Sequence, residues 1–276
     1  MKSLFTILLA LLTVSFLMVS CAEEDQLVVD EIVPADVLAK IAQMGFNPDG
    51  AVAVDEGYRV ERDIIITHDN LLTTHDNHRV PNLEQYSTTN LVSAGGGRNI
   101  TVYALVGGRK GYSAGMIAGL DEAITRYNDQ NLSITFSRVT NSNGADIQMT
   151  RLRKGEERQG ILGSAGFPTA SGDPYGEIKM SGILESSYGL DTDGIATIIA
   201  HEMGHCVGFR HTDYFDRSIS CGGSASNEGT AGIGADHIPG TPTGATASDL
   251  SFMLSCTDGG NRPFNSADQT ALNYLY

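Results

Sequence analysis

Hydrophobic and polar positions alternate from Asn99 to Val106, with Ile100, Val102 and Ala104 on one side, as in a strand with one buried face. The period then lengthens. Met116, Ile117, Leu120, Ala123, Ile124 and Tyr127 recur at three- and four-residue spacing, which predicts an amphipathic helix over Ala114–Tyr127. Ser133–Val139 and Asp146–Met149 return to strand character, and the glycine-rich stretch Gly160–Met180 reads as an irregular edge strand. Asp193 stands where it can cap the next helix. A long Gly/Ser/Thr loop fills Thr212–Asp249. A final helix follows, with Ser266-x-x-Gln269 as its capping box and Ala271, Leu272 and Leu275 as its buried stripe.

Before residue 99 the pattern is different. Lys2 followed by the uncharged apolar run Leu4–Val19 reads as a secretory signal, too short for a stable membrane span. Met18-Val19-Ser20-Cys21 resembles a bacterial lipoprotein box, which would make Cys21 the lipidated mature N-terminus; ordinary cleavage and secretion is the alternative. Either way the protein is exported, as an outer-membrane lipoprotein facing the periplasm or the cell surface, or secreted. Glu23-Glu24-Asp25 resembles a surface-export signal and equally suits a flexible acidic tether. Val33–Met44 suits a short helix, with Pro34 near its start and Gly45 just past its end. Ala51–Thr67 is strand-like. Gly95-Gly96-Gly97-Arg98 is the clearest hinge, so the chain divides into a signal (1–20), an N-terminal region (21–98) and a main domain (99–276). His68, His75 and His78 read as solvated loop histidines rather than a second metal site.

Composition narrows the partners. A hydrophobic fraction of 41% suffices for a packed core, while a formal charge of -15 argues against nucleic acid and against an electrostatic grip on anionic lipid. Membrane contact then rests on the lipid anchor alone. The chain is expected to be monomeric, with a protein or peptide as substrate.

The chemistry is concentrated in HEMGHCVGFRH, His201 to His211. On a helix, His201 and His205 lie one turn apart on the same face. Gly208 can take the left-handed conformation that ends the helix, letting the chain turn back and bring His211 to the same ion. Three neutral imidazoles suit a catalytic zinc ion, and Glu202 is placed as general base toward zinc-activated water. No residue pattern supports a calcium ion. Apart from Cys21, the cysteines are Cys206, Cys221 and Cys256. A Cys206–Cys221 bridge, pinning the loop after His211, is favoured, and Cys221–Cys256 is the competing pair.

The longer motif HExxHxxGxxH, with Leu250-Ser251-Phe252-Met253 downstream, resembles the metzincin zinc endopeptidases. That resemblance implies an α+β domain: a twisted mixed sheet packed on two long helices, a zinc helix, a methionine turn with Met253 beneath the metal, and a C-terminal helix. HEMGHCVGFRHTD and His237-Ile238-Pro239-Gly240-Thr241-Pro242 resemble the bacterial dual-action HEIGH metallopeptidases. Ser255 stands where astacin-like members place a zinc-ligating tyrosine, so that element is missing. Asp213 is a candidate to orient a ligand from behind. Val60-Glu61-Arg62-Asp63-Ile64 loosely resembles an astacin-like pro-segment, which implies that Asp63 blocks the metal in a latent form. The implied activity is zinc-dependent peptide-bond hydrolysis. An inactive binding lipoprotein and a zinc amidohydrolase on cell-wall peptides are the competing readings.

Overall fold

In the computed structural model, residues 32–72, 85–228 and 233–276 are described. The signal run, Cys21, His75 and His78 lie outside them. No described helix is long and apolar enough to cross a membrane.

The strand expected from residue 99 is β5 (Arg98–Ala104), whose Ile100, Val102 and Ala104 are buried. It stops short of the predicted end because Gly107 and Gly108 both take positive φ, turning the chain away. A crossover through α2 (Ala114–Asn128) leads to β6 (Ile134–Val139), parallel to β5, as a helical crossover permits. Ser113 caps α2 by accepting from Met116 N at 3.1 Å. β7 (Ile147–Arg151) joins the other side of β5, and β9 (Glu177–Met180) joins β7, both in parallel. β8 (Gly163–Ala165) returns antiparallel to β9.

The N-terminal residues extend this sheet. After α1 (Ala35–Gln43), with Pro34 at its start and Gly45 at φ 93° beyond its end, come β1 (Val52–Val54), β2 (Gly57–Val60) and β3 (Ile64–Thr67). They form an antiparallel meander that divides the single strand-like run expected there. Gly57 makes it possible, since a Cβ there would fall 2.2 Å from the Ile66 carbonyl oxygen. β3 then pairs in parallel with β8, giving one eight-stranded mixed sheet in the order β1-β2-β3-β8-β9-β7-β5-β6. The sheet thus runs straight across the hinge at Gly95–Gly97, and the stretch expected to be an exposed edge is interior. A separate two-stranded pair joins β4 (Tyr86–Ser87) to β10 (Asp236–His237).

Helix α3 (Thr192–Cys206) is almost wholly buried and lies against α2. A Cβ at Gly119 would fall 2.4 Å from the Ile195 side chain, so the two helices approach where that glycine sits. Tyr127 donates to the Ala200 carbonyl at 2.8 Å. The main core lies among these helices and the sheet, with Phe252, Met253, Phe264 and Leu272 of the C-terminal part completing it. A smaller core gathers Ile41, Met44, Phe46 and the β2–β3 residues Val60, Ile64 and Ile66.

Two helix starts differ from the sequence reading. Asp191, not Asp193, caps α3, accepting from Gly194 N at 2.9 Å; Asp193 falls in the first turn and pairs with Arg126. The C-terminal helix α4 (Ser266–Leu275) is capped by Asn265, with Asp268 completing the box, one residue ahead of the expected Ser266–Gln269 pair. Both sequences offer alternative capping residues, and the extended conformation of Asp191 and Asn265 decides between them.

Candidate metal centre

The second half of α3 carries His201, Glu202 and His205, and Gly208 at φ 108° reverses the chain toward His211. A side chain at Gly208 would strike Leu91 and Thr88, so the turn needs glycine for space as well as conformation. His211 Nε2 comes to 3.3 Å from His201 Nε2, and one nitrogen of each of the three histidines lies within 4.8 Å of the others. Two nitrogens each about 2.0–2.1 Å from a tetrahedral zinc ion would be about 3.3 Å apart.

The other side of each ring is held. His201 Nδ1 meets the Phe252 carbonyl and His205 Nδ1 the Phe209 carbonyl, both at 2.8 Å; His211 Nδ1 meets Glu228 Oε1 at 2.5 Å. Acceptors at Nδ1 leave the Nε2 lone pairs for a metal. His205 Nε2 is buried and has no partner among the described residues. Burial, reinforced by His211, lowers His201 to about 4, and burial with its two neighbours holds His205 well below the usual histidine range. Burial opposes a charge on His211 too, but Glu228 and Asp63 raise it to about 10. A proton there occupies a negative well that a dication would fill better. The donor set therefore fits a zinc-type ion.

Glu202 is buried beside the triad, with Oε2 unpartnered among the described residues. Burial, then the charge of Asp63, raises its carboxyl well above the ordinary range. β8 passes directly over it: a Cβ at Gly163 would meet Glu202 Oε1 at 2.4 Å.

Asp63 closes the arrangement from the N-terminal side. Its Oδ2 lies 3.4 Å from His211 Nε2, and its Oδ1 is buried without a partner among the described residues. Burial works against its charge, but His211 and Arg217 hold it at about 2. The two residues before it, Glu61 and Arg62, both take positive φ, at 53° and 83°. Such backbone is costly for residues with a Cβ, on the order of 1–3 kcal/mol each, and persists only where surrounding contacts enforce it. Here Arg217 donates to the Glu61 side chain and carbonyl, both at 3.0 Å, and Arg62 donates to the carbonyls of Gln159 and Gly160.

Glu228 escaped the sequence reading. Its carboxylate receives Arg217 at 2.7 Å and Arg210 at 3.3 Å besides His211, and these charges hold it well below the usual range against its burial. It sits in a loop of small residues with no motif around it; being the only glutamate after Glu202 was its one signal. Glu61, His211 and Glu228 are also close enough to share a cation, but Arg217 lies between the two carboxylates and fills that role.

Met253, expected from its motif to lie beneath the metal, packs against the zinc-motif helix. Met253 is fully buried, with its sulfur 2.6 Å from where a Cβ at Gly204 would be, between the first two histidines. Among the described residues, Asp213 hydrogen-bonds to no histidine: it receives Ser255 N and Oγ and Ser220 Oγ, tying the segment after Met253 to the loop after His211. The favoured disulfide is also corrected. Cys221 bonds Cys256 across 35 residues, while Cys206 is a free, buried thiol. Cys206 packs in the main core on α3, which keeps it from the loop. His68 contacts the Tyr58 ring and joins no metal-capable cluster among the described residues.

Compared with known families, residues 58–276 match the family described as dual-action HEIGH metallo-peptidase. The match begins inside β2 and includes β3 and Asp63. No curated protein matches the chain.

Proposed function

The chain belongs to the dual-action HEIGH metallo-peptidase family, and from that premise we propose that it is a zinc-dependent endopeptidase of metzincin-like fold. His201, His205 and His211 hold the ion and Glu202 is the general base. The observation that carries this reading is the fixing of all three imidazoles at Nδ1, so that their Nε2 atoms converge beside Glu202. When bound, zinc supplies the Lewis acidity that lets water attack an amide near neutral pH. Glu202 takes the proton of that water and later delivers it to the departing amine nitrogen. Met253 supports α3 from below, and Glu228 orients His211.

Latency belongs to the same reading. β3, the strand that follows Asp63, pairs with the side of β8 away from β9. Asp63 stands at the ligand atom of His211. Withdrawal of residues 61–67, after cleavage near Arg98, activates the enzyme. Export as a lipoprotein through Cys21 completes the picture, and a disulfide suits the oxidising compartment this implies.

The test uses the full chain and its Asp63→Ala variant on fluorescent casein and on peptidoglycan, each with and without chelator and beside Glu202→Gln. Casein cleavage that chelation stops and Glu202→Gln lacks supports the proposal. Cleavage that survives either treatment, peptidoglycan as sole substrate, or no cleavage by zinc-loaded protein rejects it.

A further inference from the structure

A cavity of ≈260 Å³ opens beside His201 and Glu202, with Thr197, Ile198, Phe252 and Leu254 among its walls. Three arginines also line it, and they differ in how far their charge is already met. Arg62 is held by the carbonyls of Gln159 and Gly160 and belongs to the segment that carries Asp63. Arg217 pairs with the buried carboxylates of Glu61 and Glu228. Arg262 is different. Its side chain is only 8% exposed, yet its one ion pair among the described residues is with Asp258, which is 66% exposed, at 3.1 Å. Such a pair is weak, because water competes for the exposed carboxylate. Arg262 Nε is buried and has no partner among the described residues.

The guanidinium is nonetheless firmly sited. Arg262 N donates to Thr197 Oγ1 at 2.9 Å, fixing the residue one helical turn before His201. Nη1 donates to the Cys256 carbonyl at 3.0 Å, and Cys256 is itself tied to Cys221 by the disulfide. A fixed, water-poor guanidinium whose buried charge is under-matched is a receptor for a carboxylate, which it can grip with two parallel hydrogen bonds. Apolar walls with a few placed polar groups are how pockets combine affinity with selection.

Building on the peptidase reading above, we propose that Arg262 makes this cavity the specificity pocket for an acidic side chain. The substrate is then a peptide with Asp or Glu next to the scissile bond. Glu61 and Asp63 of the covering segment line the same cavity, so acidic side chains already occupy this region in the latent chain.

The test uses the full-length, zinc-loaded Asp63→Ala protein with peptides that differ only in the residues flanking the scissile bond, read by mass spectrometry. Glu or Asp on one side should raise kcat/KM at least tenfold over Leu and Lys. Arg262→Lys should keep an acidic preference, and Arg262→Glu should turn it toward Lys. In parallel, calorimetry on the inactive Asp63→Ala/Glu202→Gln protein should show the acidic peptide binding at least tenfold tighter than its lysine counterpart. Cleavage without acidic preference overturns the pocket and leaves the peptidase reading standing. So does a preference unchanged in an Arg262→Glu protein of normal melting temperature. Acid-selective binding without any cleavage retains the pocket and overturns the peptidase reading.

Discussion

The carboxylate of Asp63 lies 3.4 Å from Nε2 of His211, the atom that completes the three-histidine cluster. One short segment thereby reaches the metal centre while its next residues, in β3, hydrogen-bond to β8. Removing the carboxylate should unblock the centre without disturbing the strand pairing. We expect full-length Asp63→Ala to cleave fluorescent casein at least tenfold faster than the unaltered chain, at equal zinc content. Equal rates would show that Asp63 does not restrain the enzyme.

Glu228 serves three basic partners at once: His211 and two arginines. Glu228→Gln leaves two buried guanidinium groups short of a counter-charge, a change that costs on the order of 3–5 kcal/mol. It also frees the His211 ring, for which a loss of about 10–100-fold in zinc affinity is expected. Urea unfolding and competition with a chromogenic chelator measure the two effects separately.

The Cys221–Cys256 bridge closes a loop that contains Met253. For a separation of 35 residues, tethering the unfolded chain is worth about 4 kcal/mol. A Cys221→Ser/Cys256→Ser chain should unfold at lower urea concentration, while Cys206→Ser leaves the bridge in place. Peptide mapping under non-reducing conditions should return the 221–256 pair.

Asp268 titrates in a useful range. Burial raises its carboxyl to about 6, against the hydrogen bonds from Ser251, Asn265 and others that favour the charged form. A raised acid stabilises the fold at low pH and loses that contribution as pH climbs from the unfolded value near 4 through 6. The loss is on the order of 3 kcal/mol. Urea midpoints between pH 4.5 and 7 should therefore fall more steeply in the unaltered protein than in Asp268→Asn.

Much of this was legible in the sequence where a local rule applies. The three histidines and Glu202 follow from helical spacing and one glycine. β5 and α2 follow from hydrophobic period. Met253 was singled out through a motif. The features that escaped depend on long-range proximity. Glu228 meets His211 across a loop of small residues, and Cys221 found Cys256 because α3 buries Cys206 in the core. The pairing of β3 with β8 joins residues about a hundred positions apart, and no periodicity records which strand will lie beside which.

That pairing has a second side. Taking β3 away would leave one side of β8 without a partner strand. Unpaired strand edges attract other chains, and proteins ordinarily guard them. Activation would thus create an adhesive seam at the same moment as it uncovers the metal centre. A released enzyme would have to fill the seam with substrate, refold around it, or stick to its neighbours. The segment before the hinge would then be a guardian of solubility as much as of chemistry, and the lifetime of the activated form should shorten as its concentration rises.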